Sequence, residues 1–107
     1  MSTHATTTTT TNAAGRLDAL GDECSRTILA ATSGRPRTAK ELTARTDCSS
    51  ATVYRRINTL LESDLLSECI RFEEDGSHTT AYRATVDSVN VQIAAGGIEV
   101  SVESTED

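Results

Sequence analysis

Aromatic residues and long apolar runs are scarce in this chain of 107 residues. Aromatic residues make up 3% of it and hydrophobic residues 36%. The sequence therefore supports one small core, which a dimer would enlarge. No apolar run approaches the roughly 18 residues of a membrane helix, and no segment has the apolar region of a signal peptide. We therefore expect a cytoplasmic protein with one domain.

Cysteine pairs and catalytic motifs are missing as well. The three cysteines, Cys24, Cys48 and Cys69, are far apart and include no C-x-x-C, which predicts reduced thiols. Cys48 is interpreted either as a small packing residue or as a redox switch beside a recognition helix. No P-loop, zinc-protease or nucleophile-elbow motif occurs. We expect no enzyme, no cofactor and no metal site.

Lysine is rare in this chain, although charged residues make up 24% of it. The net charge is −6, and Lys40 is the only lysine among ten basic residues. Abundant acids, little lysine and much threonine are typical of proteins from salt-accumulating archaea, whereas an ordinary acidic bacterial protein is the other interpretation. Between Arg35 and Arg56, six basic residues face two acidic ones, a local charge of +4. A basic patch in an acidic protein favours a nucleic-acid partner.

That basic segment has the pattern of a helix-turn-helix. Thr38 and Glu41 form a T-x-x-E capping box that starts one helix, and residues 47–50 supply a turn and a new N-cap. The helix Ser50–Ser63 then carries two stripes. The apolar stripe is Val53, Ile57, Leu60 and Leu61, and the polar stripe is Thr52, Arg55, Arg56 and Thr59. Such a helix fits a DNA major groove.

The remaining segments complete a winged helix. Residues 1–15, with six consecutive threonines, are predicted to be a disordered tail. A first helix is expected from about Asp22 to Thr32, and Asp64 is expected to end the third helix. A strand over 65–72, with Leu66, Ile70 and Phe72 on one face, and a return strand over 78–84 form a hairpin around the D-G turn.

A second hairpin follows this wing. Val89, Val91 and Ile93 alternate with polar residues before Gly96-Gly97, and Ile98, Val100 and Val102 alternate after it. A lone hairpin is marginally stable, so it must cover the core, extend the wing sheet or pair with another subunit. We expect a sheet edge or a dimer contact over residues 87–103. The fold class is thus α+β: a winged helix-turn-helix over 16–86, with three helices and a β-hairpin wing, plus this C-terminal β-hairpin.

The sequence resembles the winged helix-turn-helix transcriptional regulators of haloarchaea, in the broad ArsR-like group. The resemblance rests on residues 17–32, 38–66 and 75–84, about two-thirds of the chain, and on the S-x-x-T-V-Y-R-R-I-x-x-L run. It implies operator binding by a homodimer. The metal-sensing branch of that group carries a C-x-C type motif, which the dispersed cysteines here do not match. The acids Glu73, Glu74 and Asp75 at the wing tip also oppose contact with phosphates.

Candidate DNA contacts were assigned residue by residue. One of Arg55 and Arg56 is expected to read a base and the other a phosphate, the alternative being a solvated face paired to acids such as Glu62. The hydroxyls that open the helix suit phosphate binding or plain capping. Tyr54 is interpreted as a phosphate contact or a packing residue. The full predicted set is Arg37, Lys40, Ser49, Ser50, Thr52, Tyr54, Arg55, Arg56, Thr59, Arg71 and His78.

Two functions are compatible with this pattern. The first is a sequence-specific regulator that binds double-stranded DNA as a homodimer. The second is a winged-helix protein–protein adaptor in a transcription-related assembly, which the acidic exterior and the apolar C-terminal hairpin would suit. Arginines at positions 55 and 56 discriminate between them, because an adaptor does not need them.

Overall fold

Four helices and two three-stranded antiparallel sheets make up the residues described by the computed structural model, which are 6–7 and 13–104. The helices are α1 (Ala13–Leu20), α2 (Glu23–Ser33), α3 (Ala39–Arg45) and α4 (Ser50–Glu62). The strands are β1 (Thr6–Thr7), β2 (Arg37–Thr38), β3 (Leu66–Phe72), β4 (His78–Ala84), β5 (Ser88–Ala94) and β6 (Gly97–Glu103). The α+β fold class is confirmed.

The predicted winged helix is present from α2 to β4. The helix α2 begins after Asp22, whose carboxylate accepts from the Ser25 amide at 2.8 Å. The strands β3 and β4 pair in register from Leu66–Ala84 to Phe72–His78, and β2 joins the other edge of β4. This sheet order, β2-β4-β3, places the wing beside the helix-turn-helix formed by α3 and α4.

The core lies between α4, α2 and the base of the wing. Val53, Ile57 and Leu60 from the predicted apolar stripe are almost completely buried, and Leu61 is half-buried at its border. They pack in one cluster with residues of the other elements, among them Ile28, Leu42, Leu65, Leu66 and Tyr82. The periodicity of α4 therefore identified the face that packs against the protein.

The predicted disordered tail was too long. Residues 13–15 belong to α1, which Gly21 separates from α2, and β1 pairs with β6 through Thr6–Glu103 and Thr7–Val102. The threonine-rich composition concealed both elements, because strand pairing and helix packing depend on distant partners. The rest of the predicted tail, residues 1–5 and 8–12, lies outside the described residues.

The expected apolar face of the wing is buried only at its base. Leu66 is buried, but Ile70 is exposed and Phe72 is 71% exposed. The distal half of the hairpin extends past the helices, so no element covers these side chains. Phe72 instead packs edge-to-face with His78 on the paired strand, at 4.5 Å between ring centroids.

The C-terminal hairpin forms a sheet of its own, with the order β1-β6-β5, and does not extend the wing sheet. Its connecting turn is Ala95-Gly96, one residue earlier than predicted, because Ala94 already pairs with Gly97. Near the base, Val100 and Val102 are buried and Val89 packs against the core cluster. The base of the hairpin thus covers part of the core, which was the first of the three alternatives given for this hairpin.

The end of α4 closes in a Schellman motif. The Leu65 amide donates to the Leu60 carbonyl at 3.0 Å, and the Asp64 amide donates to the Leu61 carbonyl at 3.2 Å. Asp64 occupies the left-handed position with a φ of 58°, where glycine is the usual residue. The predicted stop at this residue is confirmed, and it comes with backbone strain.

Replacing Asp64 by glycine should therefore stabilise the protein, by up to about 1 kcal/mol, since glycine removes the cost of the left-handed conformation. The free energy of unfolding in urea measures the change. Asp64→Ala is the matched control, because it removes the same carboxylate and keeps the strain. An equal gain in both variants would show that charge, not backbone conformation, is responsible.

Candidate nucleic-acid interface

The outward face of α4 is rotated away from the predicted polar stripe and shares only Arg55 with it. Ala51, Tyr54, Arg55, Asn58 and Glu62 are exposed and recur at the spacing of one helix face. Thr52, Arg56 and Thr59, by contrast, are only partly exposed. The surface that α4 can present to a partner is therefore centred on Arg55.

The geometry of a helix explains this difference. At about 100° per residue, Arg55 lies almost opposite the centre of the apolar stripe, whereas Arg56 lies only about a right angle from it. The predicted stripe did not include Asn58. It follows Arg55 by three residues, so it lies beside Arg55 on the outward face. An asparagine can pair with adenine through two hydrogen bonds, and an alanine such as Ala51 can contact a thymine methyl group.

Arg55 has an unoccupied guanidinium. No hydrogen bond or ion pair of this side chain is found within the described part of the chain, and the residue is exposed. Five N–H donors are therefore directed to solvent, in the planar arrangement that matches the O6 and N7 atoms of guanine.

Arg56 is held by its own chain. Its Nε lies 3.0 Å from Oδ2 of Asp22, and both side chains are about one-third exposed. The same oxygen caps α2 through the Ser25 amide, and this backbone hydrogen bond, aided by Arg56, holds the pKa of Asp22 below its usual value. Arg56 therefore joins α4 to the start of α2. This agrees with the alternative of an arginine paired to an acid, although the acid is Asp22 and not Glu62.

Arg71 also differs from the expected phosphate contact. Its Nη1 and Nη2 donate to the two carboxylate oxygens of Glu41 at 2.8 and 3.1 Å, and its Nε donates to Glu73 at 3.1 Å. Glu41 also forms the capping box with Thr38. The predicted capping box is therefore confirmed. Arg71 thus ties the wing to the first turn of α3, and its donors are occupied.

The start of α4 is capped as the sequence predicted. Ser49 accepts from the Thr52 amide at 3.2 Å and donates to the Thr52 hydroxyl at 3.0 Å, so these two hydroxyls satisfy each other. Ser50 is exposed beside Tyr54, and both line one shallow depression together with Lys40 of α3. The first turns of α3 and α4 therefore share one surface next to Arg55.

The other predicted contacts lie around this surface. Arg37 on β2 donates through Nε to the Ala31 carbonyl at 3.1 Å. The pKa of Arg37 is lowered, mainly by desolvation and to a smaller extent by the charges of Arg45 and Arg35. Thr59 donates to the Arg55 carbonyl at 3.1 Å. His78 is exposed on the wing, at the opposite end of the sheet from the core.

Arg16 is a structural residue that sequence reasoning missed. It is 2% exposed, and its Nε donates at 3.1 Å to the carbonyl of Ser63, the C-cap of α4. A guanidinium there complements the negative end of the helix dipole. The contact spans 47 residues of sequence, so no local pattern signalled it. Arg16 fixes one end of α4 while Arg56 fixes its side.

Two of the thiols are neighbours. Cys24 and Cys48 line one small pocket of about 140 Å³ beside the turn between α3 and α4. Burial, followed by the nearby Cys48 thiol, raises the pKa of Cys24 to about 12. Cys24 is therefore a protonated packing residue of the core at neutral pH.

The ion pair of Glu41 predicts a pH dependence of stability. Hydrogen bonds from Arg71, and then from the Thr38 amide, lower the pKa of Glu41 from 4.5 to about 2. The stabilisation is therefore complete above pH 4.5 and is lost as the pH falls towards 2. Glu41→Gln should lower the free energy of unfolding at pH 7 by about 1 kcal/mol, the upper range for a solvent-screened pair, and flatten its acid dependence.

Thermal unfolding between pH 7 and pH 2 measures this effect. Glu74→Gln is the matched control, because it removes an equal charge from an exposed acid of the wing. An identical acid dependence in the two variants would contradict the assignment to the Glu41–Arg71 pair.

The Arg56–Asp22 pair predicts that Arg56→Ala and Asp22→Asn each destabilise the protein by about 0.5–1 kcal/mol. Asparagine still caps α2, so this variant removes the ion pair alone, and the double variant should lose little more than either single one. Urea unfolding measures these differences. If Arg56 contacts DNA as first predicted, Arg56→Ala alone will also weaken DNA binding, and Asp22→Asn will not.

Comparison with known proteins agrees with this geometry. Residues 20–69 match a protein family described as a helix-turn-helix domain, and the match spans α2, α3, α4 and the start of β3. A search of curated proteins gave no match. Within the described ranges, no helix has the length and apolar character needed to cross a membrane. The chain therefore carries a helix-turn-helix domain, which supports a role as a DNA-binding regulator.

Proposed function

We propose that the protein is a sequence-specific transcriptional regulator that inserts α4 into the major groove of an operator. The single observation that carries this proposal is the exposed, unpaired guanidinium of Arg55 at the centre of the outward face of α4. Arg55 would read guanine, and Asn58 beside it would read adenine. An adaptor surface would not need an unpaired arginine at this position.

Backbone contacts would come from the surface around Arg55. Lys40 and Ser50 lie at the first turns of α3 and α4, and Tyr54, which is 54% exposed, lines the same depression. Contacts of this kind position a protein on DNA without reading sequence. We assign Arg56 and Arg71 to bracing instead, because Nε of Arg56 donates to Asp22, and all three guanidinium nitrogens of Arg71 donate to Glu41 and Glu73.

In this arrangement the acidic wing tip, residues 73–75, does not contact the DNA phosphates. Glu73 is already paired to Arg71, and Asp75 accepts both the amide and the hydroxyl of Ser77, which lower the pKa of Asp75. The acidic residues of the tip therefore present negative charge that opposes a contact with DNA phosphates. His78, Phe72 and Arg83 are among the exposed side chains of the wing that remain for a contact.

The setting of this regulator is inferred from charge and thiols. Most of the acids within the described ranges are exposed, which supports a halophilic archaeal host. The helix-turn-helix match with a wing beside it supports membership of the ArsR-like regulators. All three cysteines are free thiols, which suits the cytoplasm. We infer a non-catalytic homodimer, since two copies of α4 would read two half-sites of a palindrome.

Arg55→Ala should weaken binding to the specific duplex by about 1–3 kcal/mol, roughly 5- to 150-fold, because a bidentate base contact is lost. The duplex is first selected from random sequences with the unchanged chain, and affinity is measured by fluorescence anisotropy at one fixed salt concentration. Unfolding should be nearly unaffected, because the Arg55 side chain makes no hydrogen bond or ion pair with the described residues.

Two further variants sharpen this experiment. Arg55→Lys keeps the charge but not the fork of donors, so it should retain non-specific binding and lose discrimination between duplexes. Arg26→Ala removes the same charge from the exposed side of α2 and should leave affinity nearly unchanged. Equal losses in Arg55→Ala and Arg26→Ala, or no enriched duplex in the selection, would count against groove reading by α4.

A further inference from the structure

The outer half of the C-terminal hairpin presents an apolar face that the described residues, 6–7 and 13–104, do not cover. Ile93, Ile98 and Val91 are 86%, 52% and 47% exposed, although Val100 and Val102 on the same face are buried. The register pairs Ile93 with Ile98 and Val91 with Val100, so all of these side chains share one side of the sheet. The apolar face thus continues from the core into solvent.

The strand β5 is also an open edge without charge. The sheet order β1-β6-β5 leaves one side of β5 unpaired within the described residues. Its sequence, SVNVQIA, contains neither a charged residue nor a proline, the usual protections of an exposed edge. The wing offers a comparison inside the same molecule, because its edge strand β3 carries Glu68 and Arg71. The difference indicates that β5 meets a partner.

Charge favours a second copy of this chain as that partner. The protein has a net charge of −6, so two copies repel each other over most of their surfaces. The edge of β5 is a neutral segment on which they can meet without like-charge contact. The acids of the hairpin, Glu99 and Glu103, lie on β6, one strand away from this edge.

The sequence of β5 also matches itself about its centre. Antiparallel pairing of two β5 strands around Val91 would place Val89 opposite Ile93, and Asn90 opposite Gln92. Apolar side chains would then meet on one face and amides on the other. A shift of one residue would place apolar side chains opposite amides, and a shift of two would leave two of the seven residues of β5 unpaired, so the register around Val91 is favoured.

We propose that β5 pairs with β5 of a second copy to form a two-fold homodimer with one continuous sheet. The contact closes on itself because both copies use the same edge, β5, about a two-fold axis. The hairpin packs on α1 and belongs to a different sheet from the wing, which leaves the outward face of α4 free. This interface gives a location to the homodimer of the proposed function, on which it rests.

Sedimentation of the full chain without DNA tests the interface. The unchanged chain should sediment with twice its mass of 11.4 kDa. Val91→Lys should sediment as one chain under the same conditions, because it brings two ammonium groups together at the two-fold axis. Ile98→Lys is the matched control on the same apolar face, but on β6, and should remain a dimer.

Several results would overturn the proposal. A monomeric unchanged chain would do so, as would a dimer that survives Val91→Lys. Loss of the dimer in both variants would indicate packing of the apolar faces rather than pairing of the edges. A stable complex of the hairpin with a different protein, in place of a dimer, would assign the edge to that partner.

A cross-link keeps the test valid if Val91→Lys does not fold. Residues directly opposite each other in such a sheet have Cα atoms about 4.5–5.5 Å apart, within the range of a disulfide. Val91→Cys should therefore form a covalent dimer on oxidation with diamide, and Ile98→Cys should not. The unchanged chain under diamide controls for the native thiols, and equal cross-linking of both variants would contradict the register.

The same variants separate this interface from DNA binding. Arg55→Ala should stay a dimer and lose the specific duplex, whereas Val91→Lys should lose the dimer and bind the operator at least tenfold more weakly. A dimer that binds no duplex would remove the proposed function and leave the interface standing. Unchanged operator affinity of a monomeric Val91→Lys would show that regulation does not use this dimer.

Discussion

The burial of one side of α4 is the constraint on which the rest of the structure depends. Val53, Ile57 and Leu60 are almost fully enclosed, and each such side chain contributes about 1.5–3 kcal/mol when removed from water. Once this stripe is fixed, the rotation of the helix is fixed as well. Arg55 and Asn58 must then face outward and Arg56 must lie at the flank, so the core determines which side chains can reach a ligand.

Ion pairs then hold this helix and the wing in place. Arg56 ties α4 to the cap of α2, Arg71 ties β3 to the capping box of α3, and Arg16 donates to the carbonyl that ends α4. Arginines are thus used inside the domain as well as on its surface. The local charge of +4 between Arg35 and Arg56 overestimates the positive charge that is available to DNA. One of the six basic residues of this segment, Arg56, is paired to Asp22.

Surface charge separates the molecule into regions with different uses. Exposed acids cover much of the exterior, the first turns of α3 and α4 present cations and hydroxyls, and the edge of β5 is neutral. An acidic protein that must meet both DNA and its own copy needs a place for each contact where repulsion is low. The two candidate surfaces satisfy this requirement on different elements of the fold.

The sequence by itself determined the elements whose causes are local. The capping box at Thr38 and Glu41, the cap at Ser49, the apolar stripe of α4 and the alternation of both hairpins follow from short-range spacing. Only the tertiary structure decided which groups the long arginine side chains contact. Arg71 reaches Glu41 across 30 residues and Arg16 reaches Ser63 across 47, and neither partner has a signature in the spacing of residues. The pairing of β1 and the start of α1 were missed for the same physical reason, because both depend on distant parts of the chain.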